Sequence, residues 1–219
     1  NSSIEGGTSY ALRVYDDEAS ADISGGRLAL TDATGDNSAA IQVRHGTVRL
    51  QDRVDVTSSN GVLILDPGDG FGRGQTRVDL HNTGLTGNVV TRHATRSSIN
   101  LHAGSTLAGR AIGSGLDPEH IVFGLQKADA HGWNVAIDAS SGWDLAGNSD
   151  IRSLRLAGAL AFASPTNDAF KTLLVYGDYV GEGGMLTFNT RLGGDDSATD
   201  RFIVAGDTSG TTRVTVHNA

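Results

Sequence analysis

Three groups of carboxylates hold the most conspicuous chemical potential of this sequence. Asp16-Asp17-Glu18, Asp66 with Asp69, and Asp195-Asp196 with Asp200 each gather acids within a few residues. Polysaccharide lyases and hydrolases use such pairs as acid and base, in some cases around calcium. Each group lies in a Gly- or Ala-rich stretch, where Asp is favoured because it hydrogen-bonds the backbone of its own turn. Turn chemistry is the stronger reading. The calcium nonapeptide G-G-x-G-x-D is not met by Gly181-Glu182-Gly183-Gly184, and no EF-hand register occurs, so no metal is expected. Gly147-Asn148-Ser149-Asp150 faintly matches a serine nucleophile loop but lacks the flanking glycine, and no G-x-S-x-G elbow is present. A triad is defined by geometry rather than by sequence position, so no catalytic residue is assigned here.

Seven histidines, His45, His81, His93, His102, His120, His131 and His217, form neither an H-x-H nor an H-E-x-x-H pair. His81, His93 and His102 have a spacing that would let them stack on successive strands; solvated loop or edge positions are the plainer expectation. Arg92, His93, Arg96, His102 and Arg110 form a locally basic stretch. It has two readings, contact with glycans or an acidic partner and, preferred, neutralisation of acidic neighbours on adjacent strands.

The composition narrows the classes further. The chain of 219 residues has 30 Gly, 3 Pro, no Cys and few aromatics. Without cysteine there are no disulfides, zinc ribbons, iron–sulfur ligands or thiol nucleophile. Glycine is abundant but shows no G-X-Y period, which excludes collagen. A hydrophobic content of 38% and a mean hydropathy of −0.19 are too apolar for a disordered tail. No apolar run is long enough for a membrane helix. The net charge is −8, with 17 Lys+Arg against 25 Asp+Glu. That balance argues against nucleic acid and against an anionic membrane surface as partners. The chain opens on Asn1 without signal peptide and stops after Thr212-Arg213-Val214-Thr215-Val216, so it reads as an excised piece of something longer.

The elements that would position these residues are strands. Apolar and polar residues alternate with period two in Leu28-Ala29-Leu30, Ile41-Gln42-Val43-Arg44, Val48-Arg49-Leu50, Val62-Leu63-Ile64-Leu65, Val78-Asp79-Leu80, Ile99-Asn100-Leu101, Val135-Ala136-Ile137 and Leu154-Arg155-Leu156. Gly25-Gly26, Asn60-Gly61, Gly104-Ser105 and similar pairs separate them. Nothing holds a helical stripe, so the chain is all-β. Short strands of Val, Ile, Leu and Ala with glycine at the corners favour a right-handed parallel β-helix over a sandwich. After about Trp143 the aromatics Tyr176, Tyr179, Phe188 and Phe202 concentrate. The pairs Gly183-Gly184 and Gly193-Gly194 read there as hairpin turns, giving a C-terminal β-hairpin-containing cap.

Particular residues also carry a resemblance. Ser141-Gly142-Trp143-Asp144-Leu145-Ala146-Gly147-Asn148-Ser149, followed by Leu154-Arg155-Leu156-Ala157-Gly158, resembles a rung of autotransporter passengers. Val175-Tyr176-Gly177-Asp178-Tyr179-Val180-Gly181, Met185-Leu186-Thr187-Phe188, Leu192-Gly193-Gly194-Asp195-Asp196-Ser197, Thr199-Asp200-Arg201 and Val204-Ala205-Gly206-Asp207-Thr208-Ser209-Gly210 follow in order. This series is similar to the junction, or autochaperone, region of pertactin-like and AIDA-like passengers of type V secretion. The likeness divides the chain into β-helix rungs over 1–140 and an autochaperone cap over 141–219.

The resemblance implies a non-enzymatic β-helical stalk of a surface adhesin, secreted through the periplasm and outer membrane by its own C-terminal β-barrel. It further implies that the cap folds first and templates the rungs before it. The nucleus would comprise Trp143, Leu145, Leu154, Leu156, Tyr176, Tyr179, Leu186, Phe188, Asp196, Asp200, Phe202, Gly206 and Gly210. The alternative is an adhesin module that binds copies of itself on neighbouring cells or a host ligand. No cofactor is implied, nor is direct insertion into the membrane.

Overall fold

The computed structural model describes residues 2–68, 74–92, 96–113 and 132–219. Asp69, His93, His120 and His131 lie outside them. All regular structure among the described residues is β. The chain winds as a parallel β-helix with three faces, and successive coils place a strand on each face in turn. Period-two alternation explains this directly: one set of side chains points inward onto the coil below and the other outward.

The first strand, β1 (Ser3–Gly6), belongs to the third face. The bent strand β2 (Leu12–Ser24) then supplies the first and second faces, and β3 (Arg27–Leu30) returns to the third. The next coil repeats this plan with bent β4 (Ile41–Gln51) and β5 (Asp55–Ser58). Two coils of separate strands follow: β6 (Val62–Asp66), β7 (Gln75–His81) and β8 (Gly84–Thr86), then β9 (Asn88–Thr91), β10 (Arg96–His102) and β11 (Thr106–Gly109). Next come β12 (Ala111–Ile112), β13 (Asn134–Ile137) and β14 (Gly142–Leu145), and β15 (Ser149–Ile151), β16 (Ser153–Leu156) and β17 (Ala159–Phe162). The last coils use β18 (Thr172–Val175) with bent β19 (Tyr179–Thr190), and β20 (Arg201–Val204) with bent β21 (Thr208–Asn218).

The core is a set of axial ladders. On the second face Val48, Val78, Ile99, Val135, Leu154 and Tyr179 are in register, and beside them Leu50, Leu80, Leu101, Ile137 and Leu156. All of these side chains are buried. Each coil therefore buries its apolar row against its neighbours at the strand spacing of about 4.8 Å, and stability is a sum of nearest-neighbour terms.

Gly183-Gly184 does not make a hairpin. It sits inside β19, where the register with β21 shifts between Glu182 and Met185. The strand bends there from the second face to the third, pairing with β16 before the bend and with β17 after it. Gly183 has a φ of 83°, which supplies the bend. Chain reversal instead occurs around Gly193-Gly194, where Thr190 and Thr199 form an antiparallel bridge and the Arg191 N–H donates to Ala198 O at 2.9 Å. Long strands are also not confined to the C-terminal part, because β2 and β4 bend round the same corner near the other end.

Candidate functional site

Most of the nucleus residues expected from the sequence fall on two inward ladders and one polar clasp, and Tyr176 and Asp196 lie outside them. On the third face Leu85, Leu107, Trp143, Leu160, Leu186 and Val214 are in register. Trp143 is buried, and its indole Nε1–H donates to Gly109 O at 3.0 Å. The neighbouring row carries Leu145 and Phe162, with the Phe162 and Phe188 rings stacked at 5.0 Å. This third-face ladder runs without a break across residue 141.

On the second face Leu154 leads to Tyr179, whose ring meets Phe202 edge-on at 5.0 Å. The Tyr179 hydroxyl is hydrogen-bonded to the Thr212 hydroxyl. Burial pushes the Tyr179 phenol above its ordinary pKa, and the bond to Thr212 opposes this only in part. Leu156 leads to Gly181 and then Gly210. Gly210 has a φ of 81°, and a Cβ there would fall on Gly181 O, well inside contact distance. Gly206 is held against Gly177 in the same way. Tyr176 lies apart from the main core, in a small cluster with Leu174 and Ile203.

The polar clasp centres on Asp200. Its side chain is buried, its Oδ1 accepts the Lys171 N–H at 2.8 Å, and its Oδ2 accepts the Asn189 N–H at 2.8 Å and Asn189 Nδ2–H at 2.7 Å. Asn189 Nδ2 also donates to Phe162 O at 2.9 Å. Lys171, buried as well, donates from Nζ to Ala163 O at 2.6 Å and more weakly to Ser164 O and Ala169 O. One carboxylate thus joins the start of β18, the end of β19 and the residue before β20. Asp195 and Asp196 stay exposed on the preceding loop. Sequence reasoning missed Lys171 and Asn189 as partners, and the one available hint was that Lys171 is one of only two lysines.

The other chemically suggestive groups separate in space. Asp16-Asp17-Glu18 forms the bulge at which β2 turns the corner, with Asp16 at a φ of 116°. Asp66 is buried and accepts the Gly68 N–H at 2.8 Å and the Ser97 hydroxyl. The Ser149 hydroxyl donates to Gly147 O at 3.0 Å and accepts the Ala111 N–H at 3.2 Å. His81 and His102 do stack on successive coils, with ring centroids 4.9 Å apart. His102 also lies 3.9 Å from Asp138, and His45 lies 3.7 Å from Asp17. The basic stretch is dispersed: the Arg92 guanidinium donates to Asp36 O, Arg110 Nε donates to Asn148 O at 2.8 Å, and Arg96 is exposed. No group of three His, Cys, Asp or Glu among the described residues is placed to hold a metal ion.

Outside the second face runs a charged ladder that the sequence did not announce. Asp22, Arg49, Asp79 and Asn100 are register partners on successive coils. Arg49 bonds Asp22 at 2.8 Å, and Asp79 accepts from Arg77 Nε at 2.7 Å and from Asn100 Nδ2 at 2.8 Å. Burial pushes the Asp79 carboxyl up, but its bonds to Arg77 and Asn100, with the charges of Arg77 and His102, outweigh this and hold it below the usual range. Asp138 shows the same balance at the next corner. Burial raises it, while the Ala103 N–H, the Ser141 and Ser140 hydroxyls and the Ser140 N–H bring it down to about 2.

Comparison with a family model bears on the same C-terminal coils. The family model "Autochaperone Domain Type 1" matches residues 149–219, beginning at the first residue of β15. The adhesin BmaC autotransporter of Brucella suis biovar 1 (strain 1330) is 45% identical over 51 residues, 23% of this chain and 2% of that protein. Two Escherichia coli (strain K12) proteins are also similar. The uncharacterized protein YdeU is 56% identical over 46 residues, 21% of this chain and 10% of that protein. The uncharacterized protein YuaQ is 28% identical over 142 residues, 64% of this chain and 10% of that protein. The chain thus spans a tenth or less of the length of these relatives. No solved structure matches it. Residues 149–219 thus match an autochaperone domain, and this match together with the similarity to an autotransporter adhesin supports an autotransporter passenger with an autochaperone region.

Proposed function

We propose that this chain is a non-enzymatic, surface-exposed stretch of adhesin stalk whose residues 141–219 nucleate folding of the passenger as it emerges through the outer membrane. Its partner in export is the C-terminal β-barrel of its own protein. The observation that carries the reading is the position of the Asp200 clasp. Three successive strand ends are tied by one buried carboxylate within the segment that the autochaperone model matches. In a solenoid each coil is stabilised by the one beside it, so a coil that is stable on its own lowers the cost of ordering the next. The aromatic contacts Phe162–Phe188 and Tyr179–Phe202 add packing in the same coils.

The test uses the full-length parent displayed on bacteria, with and without residues 141–219, scored for trypsin resistance of the passenger and for cell aggregation. Passenger that reaches the surface but becomes trypsin-sensitive is the expected result. Passenger that stays resistant while aggregation or attachment disappears would overturn the folding role and make these coils a binding surface for a second copy or a host ligand.

A further inference from the structure

We infer that the cleft between the start of the first-face strands and the 163–170 loop is a binding site for an acidic saccharide, recognised through its carboxylate. The cleft has a volume of about 620 Å³, within the range of small-ligand sites. Its floor is laid by successive coils: Asn148 just before β15, Thr172 opening β18 and Arg201 opening β20. Thr172 and Arg201 are register partners, and Asn148 Oδ1 accepts the Thr172 N–H at 2.9 Å. Phe170, half-buried, forms part of the wall, and Thr199 also lines the cleft.

The wall is pre-formed. Lys171 Nζ fastens both ends of the 163–170 loop through carbonyls at 2.6 to 3.4 Å, and Asp168 is paired with Arg191. A site that needs no ordering on binding loses less affinity to conformational entropy. Lys171 and the Thr199 hydroxyl are committed to backbone carbonyls, whereas Arg201 and the Asn148 amide keep donors for a ligand. Arg201 is exposed and has no carboxylate partner among the described residues, although the chain is acidic overall. Asn148 uses its oxygen on the Thr172 N–H, which leaves its Nδ2 hydrogens for a ligand.

A guanidinium fork takes a carboxylate through two parallel hydrogen bonds. An amide donor suits a ring hydroxyl, and a phenyl ring offers an apolar surface to the C–H face of a sugar. An acidic peptide strand would instead add at the outer edge of β20, which pairs only with β18, and tetraglutamate tests that alternative. Nucleic acid is disfavoured by the net charge of −8. A single arginine in an acidic chain gives a weak site, which display in many copies on a surface would strengthen.

The experiment titrates the 219-residue chain with tetragalacturonate, cellotetraose and tetraglutamate by calorimetry and by NMR shift mapping. Variants Arg201→Gln, Phe170→Leu and Arg213→Gln are titrated alongside, and thermal melts check that each remains folded. The expected result is a dissociation constant of roughly 1 mM or tighter for tetragalacturonate, with cellotetraose and tetraglutamate at least about tenfold weaker. Arg201→Gln and Phe170→Leu should each weaken tetragalacturonate by about five- to tenfold, while the distant, exposed Arg213→Gln leaves it unchanged. No binding at about 10 mM, equal binding of the neutral sugar or the peptide, or equal sensitivity to Arg213→Gln would overturn the assignment.

Discussion

Replacing Asp200 tests the clasp most directly, because its three acceptor contacts allow the cost to be worked out bond by bond. In Asp200→Asn the amide keeps one oxygen. The cheaper orientation leaves it on the two Asn189 donors and turns the new NH2 toward the Lys171 N–H, so one hydrogen bond becomes a clash of donors. A bond to a charged group is worth about 1.5–3 kcal/mol, and a buried donor left without an acceptor costs about 1–3 kcal/mol. The two remaining bonds also lose their charge assistance. Together these give a destabilisation of about 3 kcal/mol for Asn. For Asp200→Ala, where three donors are orphaned, it is about 5 kcal/mol. For a chain of this size that corresponds to melting shifts of roughly 6–12 °C and 10–20 °C. Far-UV circular dichroism measures the shift, and hydrogen exchange of β18, β19 and β20 reports whether the loss is local. The exposed neighbours Asp195→Asn and Asp196→Asn serve as controls and should stay within about 0.5 kcal/mol of the parent. A shift in Asp200→Ala no larger than in these controls would refute the reasoning.

Three further outcomes follow from the same geometry. Trp143→Ala removes a buried indole and its bond to Gly109 O and should cost about 3–5 kcal/mol in urea melts; an unchanged curve would count against the third-face ladder as a source of stability. Gly210→Ala and Gly183→Ala both force a side chain into positive φ, but only the first also meets backbone. Gly183→Ala should therefore cost about 1–2 kcal/mol and Gly210→Ala distinctly more, with equal melting temperatures contradicting the close approach to Gly181. The lowered pKa of Asp138 contributes stability that is present above the unfolded value near 4 and is lost as pH falls toward 2. With the side chain 35% exposed, the contribution is discounted to about 1 kcal/mol. Asp138→Asn should flatten the stability profile between pH 5 and pH 2 by that amount, and an unaltered profile would remove Asp138 from the account.

Most of the architecture was legible in the order of residues. Period-two rows such as Val78-Asp79-Leu80 and Ile99-Asn100-Leu101 specify which side chains turn inward, and glycine at the corners permits the turns, so an all-β solenoid follows from local pattern. The blocks from Trp143 onward carried the likeness to autochaperone regions. The sequence by itself did not determine register between coils, since that depends on which residues 20 to 40 positions apart come to share an axis. Asp22, Arg49, Asp79 and Asn100 look unrelated along the chain, and only stacking turns them into one charged ladder. The same holds for Asp200. It stands four residues from Asp196 and has the same chemistry, yet tertiary structure buries one against Lys171 and Asn189 and leaves the other in solvent. Gly183-Gly184 makes the point for backbone. Its composition fits a hairpin, and it became a bend because β16 and β17 on the preceding coil offer parallel partners on both sides of it. Local pattern fixes which way side chains face, whereas contacts between distant coils decide which of them meet.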